Sequence, residues 1–286
     1  MDPKLNTFLT VCETMNYHAA ARLLHLTQPA VTKQIQALEA QYGKPLFSYD
    51  GRQLHKTEAC LILEDYARSI RCNVQEMERA MAGQRRRCLR IGATKTIGDY
   101  VLRDAVSRYT ADPTHELTLI VDNTEHLLTL LDDNQLDFLA VEGIFDKSRY
   151  GWQLLKRESF TGICAPDHPF AGKIIPPEDL LAESLIVREP GSGTRDIFER
   201  QLALCGYHLD AFRRLLTISS FPVICQLVKE GRGISFLYQS VVGDDPAFGH
   251  FQAEPLTGIH EFHLVYLKRT RAKEYAEAFF QDLFPF

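Results

Sequence analysis

Residues 27–39, TQPAVTKQIQALE, carry chemistry of a non-covalent kind. Val31, Ile35 and Leu38 recur at steps of four and three, one buried stripe of a helix. The opposite face presents Gln28, Thr32, Lys33 and Gln36, none of them acidic. Amides and hydroxyls match base edges and phosphates, and a lysine suits a phosphate or a guanine. Taken alone, the same pattern fits any amphipathic surface helix with a solvated polar face. A second stretch, Arg188-Glu-Pro-Gly-Ser-Gly-Thr-Arg195, suits anions. Gly191 and Gly193 allow close backbone approach, Ser192 and Thr194 offer hydroxyls, and a helix starting near Thr194 would aim its free N–H groups at a ligand. The plain alternative for this stretch is a tight turn with an N-cap and no ligand.

Several elements must position these residues. Leu5, Phe8, Leu9 and Cys12 predict a helix from Pro3 to Met15, broken at Asn16 and Tyr17. A short helix follows at residues 18–25, with Ala20, Leu23 and Leu24 inward and Arg22 outward. Thr27 caps the third helix and Pro29 occupies its first turn, where an N–H has no intrahelical partner to lose. Two helices joined by three residues form a helix-turn-helix whose second member can enter a major groove. Gly43 and Pro45 end the third helix. Asp50-Gly51 then predicts a two-residue hairpin turn. Arg52, His55 and Lys56 project from that hairpin, as a wing touching DNA backbone or minor groove would require. Thr57 caps a long helix, Glu58 to Met81, with a seam of Leu63, Ala67, Ile70, Val74, Met77 and Met81 that suits pairing with a twin helix. Gly83 and the basic run Gln84 to Arg87 read as an exposed hinge.

From Leu89 onward strand and helix signals alternate, which predicts a mostly parallel sheet with helices on both faces. CLRIGA, ELTLIVD and LDFLAVEG are strands, with helices at Thr96–Tyr109 and Glu125–Asp133. A second block comprises FTGICAP, ESLIVRE, a helix TRDIFERQLALCGY, RLLTISS, a helix VICQLVKEG and GISFLY. EFHLVYLKR returns to the first block ahead of a last helix, Arg271 to Phe284. Two α/β lobes joined by crossing strands enclose a hinged cleft, and ligands lie beyond the carboxyl ends of such strands. The polar residues there are Thr94, Lys95, Thr96, Asn123, Thr124 and Glu142.

Composition limits the alternatives. The chain has 286 residues, 45% hydrophobic and 24% charged, with a formal net charge of −5. Residues 1–90 hold 13 Lys and Arg against 9 Asp and Glu, a net of +4 that leaves −9 for the rest. A basic head on an acidic body fits a protein whose head alone meets phosphate. No apolar run of about 18 residues occurs, and the amphipathic start does not read as a signal peptide, so a cytoplasmic location is expected. Seven cysteines, with no CxxC spacing, disfavour disulfides and zinc. A redox pair such as Cys205 and Cys225 stays open. No catalytic or metal motif appears. His168 reads as a turn residue, and His260 and His263 point to opposite faces of a strand, so the chain is expected not to be an enzyme and to need no cofactor.

The pieces FLTVCETMNYHAAARLLHLTQPAVTKQIQALEAQYGKPLF and GRQLHKTEA resemble the LysR-type transcriptional regulators. ATKTIGDY, DNTEHLLTLL, LDFLAVEG and REPGSGTR resemble the branch regulating sulfur and carbon assimilation genes. The resemblance spans nearly the whole chain. It departs at Cys60, where the family usually has Gly, and at Lys95, where a small hydroxyl residue is expected. It implies an α plus α/β architecture: a winged helix-turn-helix over 1–57, a linker dimerisation helix over 58–83, and a two-lobed domain over 89–286 like the periplasmic binding proteins. Lobe I would hold about 89–160 and 265–286, and lobe II about 161–264. It implies that Gln28, Pro29, Thr32 and Lys33 contact double-stranded DNA at a pseudo-palindromic operator, with Arg52 or Lys56 on the backbone. It implies that Thr94, Thr96, Asn123, Ser192 and Thr194 line the effector pocket, joined by Ser219 or Ser220. The implied effector is a small anionic metabolite and the implied assembly a dimer or tetramer, with RNA polymerase an open further partner. A ligand-binding protein with no DNA target is the competing reading.

Overall fold

The computed structural model describes residues 1–82 and 88–281. The expected hinge at 83–87 and the end of the last expected helix lie outside these described residues. The chain forms two compact units, one of Met1–Arg86 with Asp132–Asn134 and Leu267–Arg271, the other of Arg87–Leu131, Gln135–Tyr266 and Ala272–Phe286.

In the first unit α1 (Pro3–Thr14) starts at Asp2, whose carboxylate accepts from Lys4 N, and stops because Met15 turns left-handed at φ 47°. Asn16, expected only as a breaker, instead caps α2 (Tyr17–Leu23) by accepting from His18 N and Ala19 N. In α2 the residues that turn inward are Ala20 and Ala21, while Leu23 is exposed. That corrects the expected inward Leu23, which lies roughly 200° around the helix from buried Ala21 at about 100° per residue, while Tyr17 of the same helix packs on the core. Thr27 caps α3 (Gln28–Tyr42), and Gly43 ends it in the left-handed region. Val31, Ile35 and Leu38 are buried against Phe8, Leu9 and Val11 of α1.

Strands β1 (Phe47–Tyr49) and β2 (Leu54–Lys56) pair antiparallel with Phe47 opposite Lys56. Four residues connect them rather than two. Asp50 spans the loop by accepting from Arg52 N and Gln53 N, and Gly51 takes φ +91°. The 24-residue α4 (Glu58–Met81), capped by Thr57, runs about 36 Å at 1.5 Å per residue. Its expected seam divides between two faces. Ala67 is buried and Leu63 packs against the core of this unit, whereas Ile62, Tyr66, Ile70, Met77 and Met81 form an exposed apolar stripe.

The second unit is built on a seven-stranded mixed sheet. β3 (Cys88–Ala93) is flanked in parallel by β4 (Glu116–Val121) and β5 (Phe138–Glu142). Between β3 and β4 a π-helical turn (Ile97–Val101) leads into α5 (Arg103–Thr110), and α6 (Thr124–Asp132) follows β4. The 14-residue β6 (Gly151–Cys164) begins nine residues before the expected strand. After the short α7 (Pro177–Leu180), β7 (Ser184–Val187) pairs in parallel with β8 (Arg214–Thr217) across α8 (Gly193–Leu204). Then come α9 (Phe221–Lys229), β9 (Ser235–Tyr238), α10 (Gln239–Val242), β10 (Gly249–Phe251), β11 (Gly258–Tyr266) and α11 (Ala272–Phe280). β9, β10 and β11 all run antiparallel to β6, and β11 also pairs antiparallel with β5. The large sheet is therefore mixed rather than mostly parallel, because β6 and β11 cross the unit and return. The core is aromatic: Phe138, Phe160, Phe198, Phe236, Phe262 and Phe279 are buried together.

Replacing Ile35 with Ala removes three buried carbons at the three-helix crossing. Urea unfolding of the N-terminal unit should show a loss of about 2–5 kcal/mol, and an unchanged midpoint would mean that α3 is not packed as described.

Candidate functional site

The first site is the polar face of α3 with the neighbouring hairpin. Gln28, Pro29, Lys33 and Gln36 are exposed. Thr32 is half-buried and donates its hydroxyl to Gln28 O at 3.1 Å, which leaves the hydroxyl oxygen able to accept. Gln28, Thr32, Gln36, Tyr49, Arg52 and Gln53 line a concavity of about 960 Å³ between helix and hairpin. His18 and Asn16 extend it from the start of α2. Arg52 is exposed at the hairpin tip. Lys56 is differently placed: its ammonium lies 2.7 Å from the carboxylate of buried Glu64, which also takes the Arg68 guanidinium at 2.8 Å. Burial alone would raise the Glu64 carboxyl, but the hydrogen bonds from Lys56 and Arg68 outweigh it and hold it below its ordinary value. Of the two expected hairpin cations, Arg52 is thus the one with its charge uncommitted to the fold. Tyr49, Gln53 and His18 were not singled out from the sequence. Tyr49 faces outward from β1, a position visible only once the register with β2 is known.

The second site is a cleft of about 410 Å³ in the C-terminal unit. Thr94, Lys95, Asn123, Glu142, Ser192 and Gly193 of the expected set line it, with Asp99, Asp122, Arg188 and Glu189 in addition. The ends of β3, β4 and β5 supply one side and the turn before α8 supplies the other. Thr96, Thr124, Thr194 and Ser219 are not on its wall but hold residues that are. Asn123 caps α6 by accepting from His126 N, and Asp122 pairs with the His126 ring at 2.6 Å. Ser192 caps α8, and the N–H groups of a helix's first turn have no intrahelical acceptor. Lys95 donates to the Ser219 carbonyl at 2.6 Å. Arg188, buried, forks onto Glu189 at 2.7 and 2.8 Å and stacks 4.2 Å above the Phe221 ring.

Glu142 sits at the centre. One carboxyl oxygen, Oε1, accepts from Thr96 Oγ1 at 3.0 Å and from Thr194 Oγ1 at 3.3 Å. The other, Oε2, is buried with no hydrogen-bond partner among the described residues. Thr124 Oγ1 donates to its carbonyl and its own N–H reaches Thr94 Oγ1. A side chain at Gly193 would come within 3.0 Å of Glu142 Cγ, so the glycine is what lets α8 start against this carboxyl. Burial pushes the carboxyl up to about 7, against the opposing pull of Thr96, Arg188 and Thr194.

The sulfur atoms that meet are those of Cys12 and Cys60, 3.7 Å apart and buried. Their mutual contact and burial push the Cys12 thiol up, away from the thiolate form that reacts with oxidants. His168 accepts from Phe170 N in its turn. Among the described residues no group of three His, Cys, Asp or Glu is placed to hold a metal ion, and no helix is long and apolar enough to cross a membrane.

A winged helix-turn-helix followed in the chain by a two-lobed cleft defines a ligand-responsive DNA-binding protein. Residues 3–61 match the bacterial regulatory helix-turn-helix proteins of the lysR family, and residues 82–284 match the LysR substrate binding domain. The chain therefore belongs to the LysR family, as a DNA-binding transcriptional regulator with an effector-binding domain. It is 34% identical over 260 residues to the HTH-type transcriptional regulator CbbR of Rhodospirillum rubrum, covering 90% of this chain and 85% of that one. It is 32% identical over 237 residues to the RuBisCO operon transcriptional regulator of Allochromatium vinosum, covering 81% and 77%. The regulatory domain of Synechocystis PCC6803 CcmR, solved in complex with 2-PG, shares the fold of the C-terminal part at a TM-score of 0.59. It is 21% identical and covers 68% of this chain and 98% of that domain.

Because the folded carboxyl of Glu142 lies above its ordinary 4.5, its contribution to stability is complete below about pH 4.5 and is lost as pH rises through about 7. Glu142→Gln has no charge to bury. Its urea-unfolding stability relative to the unsubstituted protein should therefore rise between pH 5 and pH 8, by up to about 3 kcal/mol at 1.36 per unit. An equal difference at the two pH values would show that the carboxyl is not raised.

Proposed function

We propose that this regulator is cytoplasmic and reads a pseudo-palindromic operator as a homodimer or a tetramer. In this reading, Gln28, Pro29, Thr32, Lys33 and Gln36 of α3 meet the DNA and Arg52 meets the backbone. Lys56 acts by bracing the hairpin against α4 through Glu64. The exposed stripe of Ile62, Tyr66, Ile70, Met77 and Met81 pairs with its copy in the partner. The observation that carries the proposal is the row Gln28, Thr32 and Gln36 of α3, whose amides and hydroxyl border the same concavity as Arg52; the one acid of α3 on that wall, Glu39, is engaged by Leu46 N. The domain limits follow the same lines: DNA binding over 1–57, pairing over 58–83, and effector binding over 89–286.

The effector is a small metabolite with an anionic group, held by Lys95, Arg188 and the start of α8, with Thr94, Asn123, Ser192 and Gly193 around it. Thr96, Thr124, Thr194 and Ser219 support it from behind. The 2-PG seen with the CcmR domain is the first compound to try. No cofactor is invoked. Control of DNA binding requires only that the ligand bind one conformation more tightly than the other. RNA polymerase is a further partner if the bound form activates.

Footprinting the DNA upstream of the protein's own gene, and of a RuBisCO operon where the organism has one, tests this reading. A protected two-fold symmetric site is expected. Gln28→Ala and Thr32→Ala should each weaken specific binding by about 1–3 kcal/mol while leaving salt-dependent nonspecific binding in place. Normal operator binding by both variants would exclude α3 as the reading helix. For the dimer, Ile70→Glu with Met77→Glu should shift the sedimenting species to a monomer. Retention of the unsubstituted size would place the interface elsewhere.

A further inference from the structure

An anion entering this cleft meets a wall that carries two cations, Lys95 and Arg188, and four acids, Asp99, Asp122, Glu142 and Glu189. Glu189 is neutralised by the Arg188 fork, and Asp122 is hydrogen-bonded to His126. Among the described residues the Asp99 and Glu142 carboxyls have no cation in hydrogen-bond contact, and of these two Glu142 is the buried one, the most deeply buried of the four. We propose that an anion enters the cleft together with one proton, which Glu142 takes from the solvent onto Oε2. This rests on the reading of the cleft as an anion site.

The geometry selects the proton's position. Oε1 already accepts from two threonine hydroxyls and is saturated. Oε2 is buried, unpartnered among the described residues, and belongs to a side chain on the cleft wall. A second negative charge brought close to a desolvated carboxylate disfavours its ionised form, so protonation and anion binding help each other. The starting point makes the exchange accessible near neutrality, since burial, opposed by Thr96, Arg188 and Thr194, leaves this carboxyl raised to about 7. A buried carboxylic acid kept neutral can then face an anion without repelling it.

Other titrating groups surround Glu142 and must be separated from it. Tyr238, at the end of β9, stays protonated because burial and the nearby Glu142 and Glu158 carboxyls raise its phenol. His260 and His263 on β11 are pushed down by burial, so they charge only in more acidic solution. Lys95, Asp99 and Arg188 face the carboxyl from the two sides of the cleft, and His126 stands behind Asp122. A Glu142→Gln substitution leaves every one of these in place and removes only the proposed proton acceptor.

The test is calorimetric titration of the full chain with sulfate, which is ionised throughout, at pH 6 and pH 8. Paired buffers of different ionisation heat count the protons. Sulfate affinity should fall about tenfold over this span, following the protonated fraction of a group that titrates near 7. Net proton uptake should approach one at pH 8. Glu142→Gln should bind sulfate at both pH values with the affinity of the unsubstituted protein at pH 6. The proton count on the unsubstituted chain needs no variant, so a misfolded substitution does not spoil the test. Sulfate binding with no pH dependence, with affinity that rises with pH, or with the same slope in Glu142→Gln overturns the proton coupling and leaves the anion site standing. No sulfate binding at either pH overturns the anion reading of the cleft, and the proton coupling with it.

Discussion

A single carboxyl group organises the C-terminal unit. Glu142 ends β5, the strand that pairs with β3 on one side and the returning β11 on the other. Its Oε1 draws in Thr96 from the segment after β3 and Thr194 from the first turn of α8, two residues 98 positions apart in the chain. The two hydroxyls are themselves 3.4 Å apart. Leaving such a group buried is costly unless its partners are satisfied or its charge is removed. Oε1 is satisfied and Oε2 is not, so the folded cleft holds a group whose best protonation state depends on what else is present.

The N-terminal unit works by different means. It has little core, and its small helices are set by their ends: Asp2, Asn16, Thr27 and Thr57 each accept from a backbone N–H at a helix start. Each such cap is worth about 1 kcal/mol. Together they fix where α3 begins and therefore which of its faces is outward. Glu64 then ties Lys56 of the hairpin to Arg68 of α4. This ion pair fixes the hairpin's base, so the tip carrying Arg52 is presented from a rigid stem.

The sequence was most readable where a residue acts through its own neighbours in the chain. The stripe Val31, Ile35 and Leu38, the Thr27 and Thr57 caps and the strand CLRIGA all report local periodicity or local hydrogen bonding. What stayed hidden depends on distant partners. The first half of β6 contains Lys156, Arg157 and Glu158, which interrupt any apolar alternation, and it is a strand because β11 lies beside it from Gly258 to Tyr266. The expected α4 seam joined Leu63 and Ala67, which the unit's own core claims, to the exposed Ile70, Met77 and Met81, since helical spacing identifies apolar rows without saying which row that core will take. In the cleft the strand-end rule found Thr94, Lys95, Asn123 and Glu142. It could not find Arg188, whose place is set by Glu189 beside it and the Phe221 ring 33 residues later.

Lys95 shows how one departure from a family pattern gains physical content. Where a small hydroxyl residue is the expectation, this chain has an ammonium that reaches the Ser219 carbonyl from the segment before α9. The hydrogen bonds that join the sides of the cleft include Lys95 to Ser219 and Thr194 to Glu142. They differ in how readily they exchange. A neutral carbonyl is a weaker partner for an ammonium than an anionic oxygen, which makes a shorter and stronger hydrogen bond. An anion in the cleft would thus draw Lys95 away from Ser219, while protonation would weaken the acceptor that Glu142 offers to Thr194. Both changes act on contacts between the two sides, so one ligand at one place alters both of these hydrogen bonds. A ligand that does so binds the two arrangements of the cleft with different free energies, and that difference is all that ligand control requires.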